Sequence, residues 1–511
     1  MTRAHGRGDR VLVIGAGLAG LAVADRLLDA GLRVTLVEPF PLPGGRTASF
    51  DVPVPVAGLQ PGDVVEHGLH AWFQHYHALH DLMERCGVDR PPFSGPGVSF
   101  WNPEQRHMVV PGGPGVWLAN ALRLPAGARG GRREALGAFG RLIAELGVCF
   151  DDPVGTDRHS ALSLLQRVGV PEAAIGNIFR PCLYSLTSLP LERLSALELM
   201  RWMSRILPDP RMRCVRVSSV RAMAGPIAAA LQARGADLRL GVEVTRLDLD
   251  RQGRAVLELA EAPDRTGLRH VLVPGFEPDA PPDPAGFDAV ISTLPWERLH
   301  ALGQPGLWRF APFLAGSFER LHNIHPLTIR LWFERPIAGA RESYILARGT
   351  LFDVLRPTPE AGSGPDIRLI DLLVEDVESH LPELGYDRER YLEPGARTDA
   401  IVQRVLEDLE RIYPGQVLGN PVARSFLHTR EGIVACNPGV WPLRAPAHIG
   451  SSSFFLAGDW TRQPHGVCME GAVRSGQLAA EALLSGQPVE APTPAPFGQV
   501  AFSVRSLFQR S

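Results

Sequence analysis

Gly15-Ala16-Gly17-Leu18-Ala19-Gly20 follows a short apolar run and opens an amphipathic one, the setting in which a glycine-rich turn delivers a diphosphate to the first turn of a helix. In that pattern Gly15 makes the tight turn, Gly17 lets backbone approach the pyrophosphate beside Leu18 and Ala19, and Gly20 permits close helix packing. Glu38 stands 18 residues past Gly20 at the end of the next apolar run, placed to accept hydrogen bonds from an adenosine ribose. An acid at that position argues against a 2′-phosphate, hence against NADP. In Pro43-Gly44-Gly45-Arg46 the glycines let the loop pass close to a ligand, and Arg46 brings a charge-assisted hydrogen bond to a pyrophosphate. The turn and the acid alone leave NAD and FAD both open.

The other end of the chain narrows the choice. Phe454-Phe455-Leu456-Ala457-Gly458-Asp459-Trp460-Thr461 is an apolar strand that breaks at Gly458-Asp459, and Met469-Glu470-Gly471-Ala472-Val473 opens a long helix. N–H groups at that helix start suit negative charge developing on a flavin pyrimidine ring, with Asp459 near the ribityl chain. Together with Arg46 these segments select a flavin, FAD, clasped from both ends of the chain.

Positioning these residues takes a βαβ unit: strand Arg10–Ile14, a helix over 18–30 and a strand over 33–37, then a Pro/Gly loop at 39–45. Residues 66–88 have helical character after Gly68, and 117–207 are mainly helical, punctuated by prolines. A helix over 221–234 leads into three short strands, Asp237–Leu240, 243–248 and 255–259, read as a small antiparallel sheet. After a five-proline linker at 274–286 come strands at 287–293 and 327–333, a helix over 400–412 and the strand–loop–helix of 453–484. At 511 residues, 45% apolar and 21% charged, the chain has the composition of a folded protein of two or three lobes.

A formal charge of −3 gives no field to gather nucleic acid, so nucleic-acid binding is excluded. Arg123, Arg129, Arg132, Arg133 and Arg141 face one acid, Glu134, and read as a solvated basic face rather than a lipid-headgroup contact. Six scattered cysteines signal neither zinc nor a disulfide framework. The polar start and the lack of any 18-residue apolar run predict a cytoplasmic protein, at most peripheral on the inner membrane face.

The order GAGLAG, strand-terminal Glu, GGR, then LAGDWT and MEGAVRSG resembles the FAD-dependent flavin amine oxidase and carotenoid desaturase superfamily. Within it, Glu66-His67-Gly68-Leu69-His70-Ala71-Trp72-Phe73 followed by Tyr76 is similar to the phytoene and zeta-carotene desaturases and squalene-associated desaturases. The resemblance implies an α/β fold: a discontinuous Rossmann-type FAD-binding domain over 1–95, 210–300 and 415–490, an inserted α+β substrate domain over 96–209 and 301–414, and a tail over 491–511. It also implies that Gly68 and Leu69 lie at the cofactor and that the Val244 backbone contacts adenine. Desaturases of this type move a hydride from an allylic carbon of an apolar isoprenoid to flavin N5 and pass electrons to quinone or oxygen; the protein mostly positions. A flavin amine oxidase is the alternative enzyme, and a noncatalytic prenyl-binding carrier of the same fold the alternative of another class.

Three ionisable residues are candidates for catalysis: His70 near the flavin, Arg430, and His465 in Gln463-Pro464-His465-Gly466-Val467-Cys468, a loop that departs from the desaturase pattern. Cys436 does not match the flavin-linking cysteine of monoamine oxidases, so noncovalent FAD is expected. Histidines 67, 70, 75, 77 and 80 lack a completing ligand set, and no metal site is expected. The apolar stripe over 187–207 reads as core before it reads as an isoprenoid wall.

Overall fold

The computed structural model describes residues 4–489 apart from 52–63, 67–69, 91–97, 102, 104–107, 111–130, 207–211, 215–219, 265–272, 304, 341–343, 359–365, 376, 378–395, 416–418, 429–431 and 451. Its first organising element is a five-stranded, all-parallel sheet. The strands are β1 (Arg10–Ile14), β2 (Arg33–Glu38), β3 (Asp237–Leu240), β4 (Ala289–Ser292) and β5 (Phe454–Leu456), in the spatial order β5-β4-β1-β2-β3. Val11, Leu12, Val13, Ile291 and all three residues of β5 are inaccessible to solvent, as strands covered on both faces require.

Two helices lie together against this sheet, α1 (Leu18–Asp29) and α2 (Met469–Ser485). Their approach needs a small residue: a Cβ on Gly476 would stand 2.3 Å from Ala19 O. Buried Asp25 ties α1 to two further helices, accepting from Arg85 Nε at 2.8 Å and Arg234 Nη1 at 2.6 Å.

A second sheet of seven strands runs in the order Ala423–His428, Leu327–Trp332, Leu369–Val374, Val354–Thr358, Tyr344–Ala347, Val98–Trp101, Met108–Val110. Its own apolar core closes against the helix Ala396–Ile412 through Ile401, Val405 and Leu409. A helical insert including Gly131–Asp151, Ala161–Arg167, Arg180–Thr187 and Ala196–Ile206 shares the apolar core of the parallel sheet, and Arg180–Thr187 also touches the strand Tyr344–Ala347 of the second sheet. Among the described residues no helix is long and apolar enough to cross a membrane.

Three expectations change. Strand Asp237–Leu240 is no part of an antiparallel sheet; it extends the parallel sheet beside β2, and only Val242–Leu249 and Ala255–Glu261 form the antiparallel ribbon. Gly241, at φ +72°, makes the change of direction possible within one residue. Strand Ala423–His428, placed by sequence in the dinucleotide domain, is the edge of the second sheet, paired to Leu327–Trp332 over six positions. The helix after Gly68 begins only at His77, because Ala71–Phe73 is drawn into a strand paired with Met212–Cys214. Of the five clustered arginines, Arg123 and Arg129 lie outside the described residues, and Arg141 donates to Val168 O at 2.6 Å.

Candidate active site

β1 ends at Gly15, whose φ of +103° disfavours any residue with a Cβ. Its N–H donates to Val37 O at 2.8 Å, tying the turn to β2. A Cβ on Gly20 would lie 2.0 Å from Gly15 O, so α1 rests directly on the turn. Gly17 is the helix N-cap, with no side-chain cap, and forms a bridge with Gly44, whose N–H donates to Ala16 O at 2.9 Å. Gly44 and Gly45 both have positive φ. Two glycine turns thus meet backbone to backbone at the positive end of α1, a cradle that fits an anionic diphosphate.

Glu38 holds this cradle in shape. Its Oε2 accepts from Ala16 N–H at 2.9 Å and its Oε1 from Phe40 N–H at 3.0 Å. A cavity of about 350 Å³ opens from the cradle; Gly15, Gly17, Leu18, Ala19, Glu38, Gly44 and Gly45 line it, and Val242, Glu243 and Val244 join the same wall. Gly20 packs behind the turn and does not line the cavity.

Arg46 lines the same cavity. It donates to Gly432 O at 3.1 Å and pairs with the Asp459 carboxylate, latching the GGR loop to the turn after β5. That turn is built on Gly458, at φ +124°, whose N–H donates to Ser475 Oγ of α2 at 2.8 Å. Met469 and Ala472 bring the start of α2 to the cavity, and the N-cap Cys468 supplies no side-chain cap there.

One family model matches residues 18–484, that of the flavin containing amine oxidoreductases. The chain belongs to this family. It is therefore a flavin enzyme, an FAD-dependent oxidoreductase, and the glycine cradle, Arg46, Asp459 and the α2 start line one cavity. The chain is similar to the 15-cis-phytoene desaturase of Synechococcus elongatus, 23% identical over 94% of this chain and 96% of the relative. It is likewise similar to a probable zeta-carotene desaturase of the same organism, 25% identical over 94% and 100%. Among solved structures, the cyclohexylamine oxidase of Brevibacterium oxydans shares the fold with a TM-score of 0.63 at 16% identity, covering 94% of this chain and 99% of that one.

Two expected residues of this flavoenzyme, His465 and Glu470, sit away from the cavity. Gly68, Leu69 and Arg430 lie outside the described residues. His465 does not line the cavity: its Nδ1 accepts from Arg205 Nε at 2.8 Å and its Nε2 lies 3.8 Å from Glu470. Burial and the neighbouring Arg205 hold its pKa well below the ordinary imidazole value. Glu470 is also turned away. Both its oxygens accept hydrogen bonds, from Ala78 N–H and Leu79 N–H at 2.9 Å each, so it caps the helix His77–Arg85 instead of facing the flavin. Burial raises its pKa against the opposing pull of those two N–H groups.

His70 does line the cavity. Its Nε2–H donates to Arg46 O at 3.2 Å, and burial, reinforced by Arg356, lowers its pKa to about 4. It is a neutral imidazole at physiological pH.

Sequence reasoning named Phe73 and Tyr76 only within the desaturase-like motif, read the stripe holding Trp202 as core before wall, and missed Glu375. Phe73, Tyr76 and Trp202 form an aromatic cluster, with ring centroids 5.4 Å apart for Phe73–Tyr76 and 6.0 Å for Phe73–Trp202. Of the stripe over 187–207, Leu189, Leu191, Leu194, Leu197, Leu199 and Met200 are core, while Ser188 and Trp202 reach the cavity. Thr293, whose Oγ1 donates to Ile14 O at 2.8 Å, follows β4 at the crevice where the strand order reverses; its only signal was the Ser-Thr-Leu-Pro turn.

Proposed function

We propose that this flavoenzyme desaturates a long apolar isoprenoid, such as a carotene or a squalene derivative. The observation that carries the reading is the apolar part of the cavity lining: Phe73, Trp202, Leu186, Leu302, Ile433 and Val467 line one cavity with Gly458 and Met469. Such a wall binds by excluding water from apolar surface. Similarity along nearly the full chain to phytoene and zeta-carotene desaturases supports it.

When bound, FAD supplies the acceptor for two electrons and one hydrogen from an allylic carbon, while the neighbouring carbon loses a proton. The chain's own contribution is placement. The Arg46–Asp459 latch and the α2 start fix the cofactor edge, and the aromatic cluster fixes the hydrocarbon against it and keeps water out. His70, uncharged, adds no competing cation. FAD is held without a covalent bond: Cys436 does not line the cavity, and the Cys468 thiol, which does, is pushed by burial up to about 12 and stays protonated. Electrons pass on to a quinone or to oxygen, and the protein works in the cytoplasm at a membrane face where such substrates dissolve.

The test is anaerobic mixing of the FAD-loaded protein with phytoene, zeta-carotene and squalene derivatives. The expected result is flavin bleaching together with a product carrying one more double bond. Bleaching by putrescine or cyclohexylamine but by none of the isoprenoids refutes the reading in favour of an amine oxidase.

A further inference from the structure

On the side of the cavity built by the second sheet and the helical insert, a bonded polar pair interrupts the apolar wall. Glu375 follows the strand Leu369–Val374, and Ser188 closes the helix Arg180–Thr187; each is only 2% exposed, and both line the cavity. Ser188 Oγ bonds Glu375 Oε2. Glu375 Oε1 is buried and has no hydrogen-bond partner among the described residues.

The arrangement is held in place at some expense. Ser188 is the only described non-glycine residue with positive φ, at +55°. Its N–H donates to Tyr184 O at 2.7 Å, and the Glu375 N–H donates to Asp353 Oδ2 at 2.9 Å, so both backbones are pinned. A serine kept in the left-handed region, with its hydroxyl on a buried carboxyl, is the kind of local strain that clusters at ligand clamps. An unmet polar oxygen in an apolar wall weakens binding of any molecule that covers it without bonding to it.

We propose that Glu375, presented by Ser188, is a specificity-determining residue that hydrogen-bonds a hydroxyl or carbonyl oxygen on an otherwise apolar isoprenoid. This rests on the isoprenoid reading and deepens it: among apolar isoprenoids the cavity prefers one that carries a hydroxyl or carbonyl oxygen over the pure hydrocarbon. Burial, with the Asp353 carboxylate adding to it, holds the Glu375 carboxyl well above the usual carboxylate range. That setting favours the neutral acid, which donates to an uncharged oxygen or accepts from a hydroxyl. An ammonium group would call instead for the ionised form, which this setting disfavours.

The experiment is equilibrium binding to the FAD-loaded protein, followed by perturbation of the flavin spectrum, with phytoene and its hydroxylated derivative as paired probes. Wild type, Glu375→Gln and Glu375→Leu are compared, with flavin content as the control for folding. Wild type is expected to bind the hydroxylated probe at least about tenfold more tightly than the hydrocarbon, the worth of one buried polar group met against unmet. Glu375→Gln keeps most of that preference, and Glu375→Leu abolishes or inverts it. Equal binding of the two probes by wild type, no spectral response to either, or an unchanged preference in Glu375→Leu overturns the assignment. So does tight putrescine binding with proton release that disappears in Glu375→Leu, which would make Glu375 a cation anchor. Because the readout is a ratio of affinities, the inference fails separately from the desaturase reading, which fails on absent flavin bleaching and product.

Discussion

Replacing Glu470 with alanine tests whether the cofactor-facing start of α2 is braced from outside the cavity. Both carboxylate oxygens of this 1%-exposed side chain accept backbone N–H groups at the head of the helix His77–Arg85. A hydrogen bond to a charged group contributes about 1.5–3 kcal/mol, and loss of a helix N-cap about 0.5–2 kcal/mol. The two bonds are not independent, and removing the carboxylate also removes its own burial penalty, so a net loss of about 2–4 kcal/mol is expected. Glutamine keeps one acceptor and sets its amide donor against the second N–H, giving about half that loss. The assay is hydrogen exchange at Ala78, Leu79 and the residues after them. Protection should fall by about 30- to 800-fold in Glu470→Ala, by less in Glu470→Gln, and flavin should dissociate faster in the same order because Met469 and Ala472 line the cavity. Exchange unchanged within threefold in Glu470→Ala would refute the brace.

Gly20→Ala should abolish flavin binding, since its Cβ would lie 2.0 Å from Gly15 O; the visible flavin band of the purified variant checks this. Arg46→Met breaks the latch to Asp459 and Gly432, and flavin release should quicken by about tenfold, with Arg46→Lys between it and wild type. The His70 imidazole is held neutral, its pKa lowered from 6.5 to about 4. Its contribution to stability is therefore complete above pH 6.5 and lost as pH falls through about 4, a loss of about 3 kcal/mol that His70→Asn should flatten in a pH series of urea unfolding. Acid precipitation should leave the flavin in the supernatant, as noncovalent binding requires; flavin retained in the pellet would place a covalent bond on the chain.

How much of the site is legible in sequence depends on how local its contacts are. Gly15, Gly17, Gly20 and Glu38 belong to one βαβ unit, where spacing alone brings the acid back to the Ala16 N–H. Arg46 and Asp459 were named without being joined; 413 residues separate them, and no pattern within either segment announces the pair. Glu470 and His465 were misread because position along the chain does not fix which way a side chain turns. Glu470 found N–H groups at the head of another helix and His465 found Arg205, each a buried polar group satisfied by a distant element. The second wall left least trace, since Phe73, Trp202, Ser188 and Glu375 come from four separate segments whose apolar patterns match ordinary core. Asp237–Leu240 was placed in the wrong sheet because a short strand's partner is set by the turn at Gly241 and the open edge of β2.

The strand order of the parallel sheet also sets a timetable. β1 and β2 precede the other strands of the sheet in the chain, but β4, the neighbour of β1, is followed by more than 160 residues before β5 arrives to cover its outer edge. The Arg46 latch and the α2 end of the cavity wait for the same late segment. During translation the nascent chain therefore carries half a dinucleotide cradle with an open strand edge, the condition in which chains recruit chaperones or aggregate. A chain interrupted anywhere before α2 lacks Met469 and Ala472, and its cavity has no wall on that side.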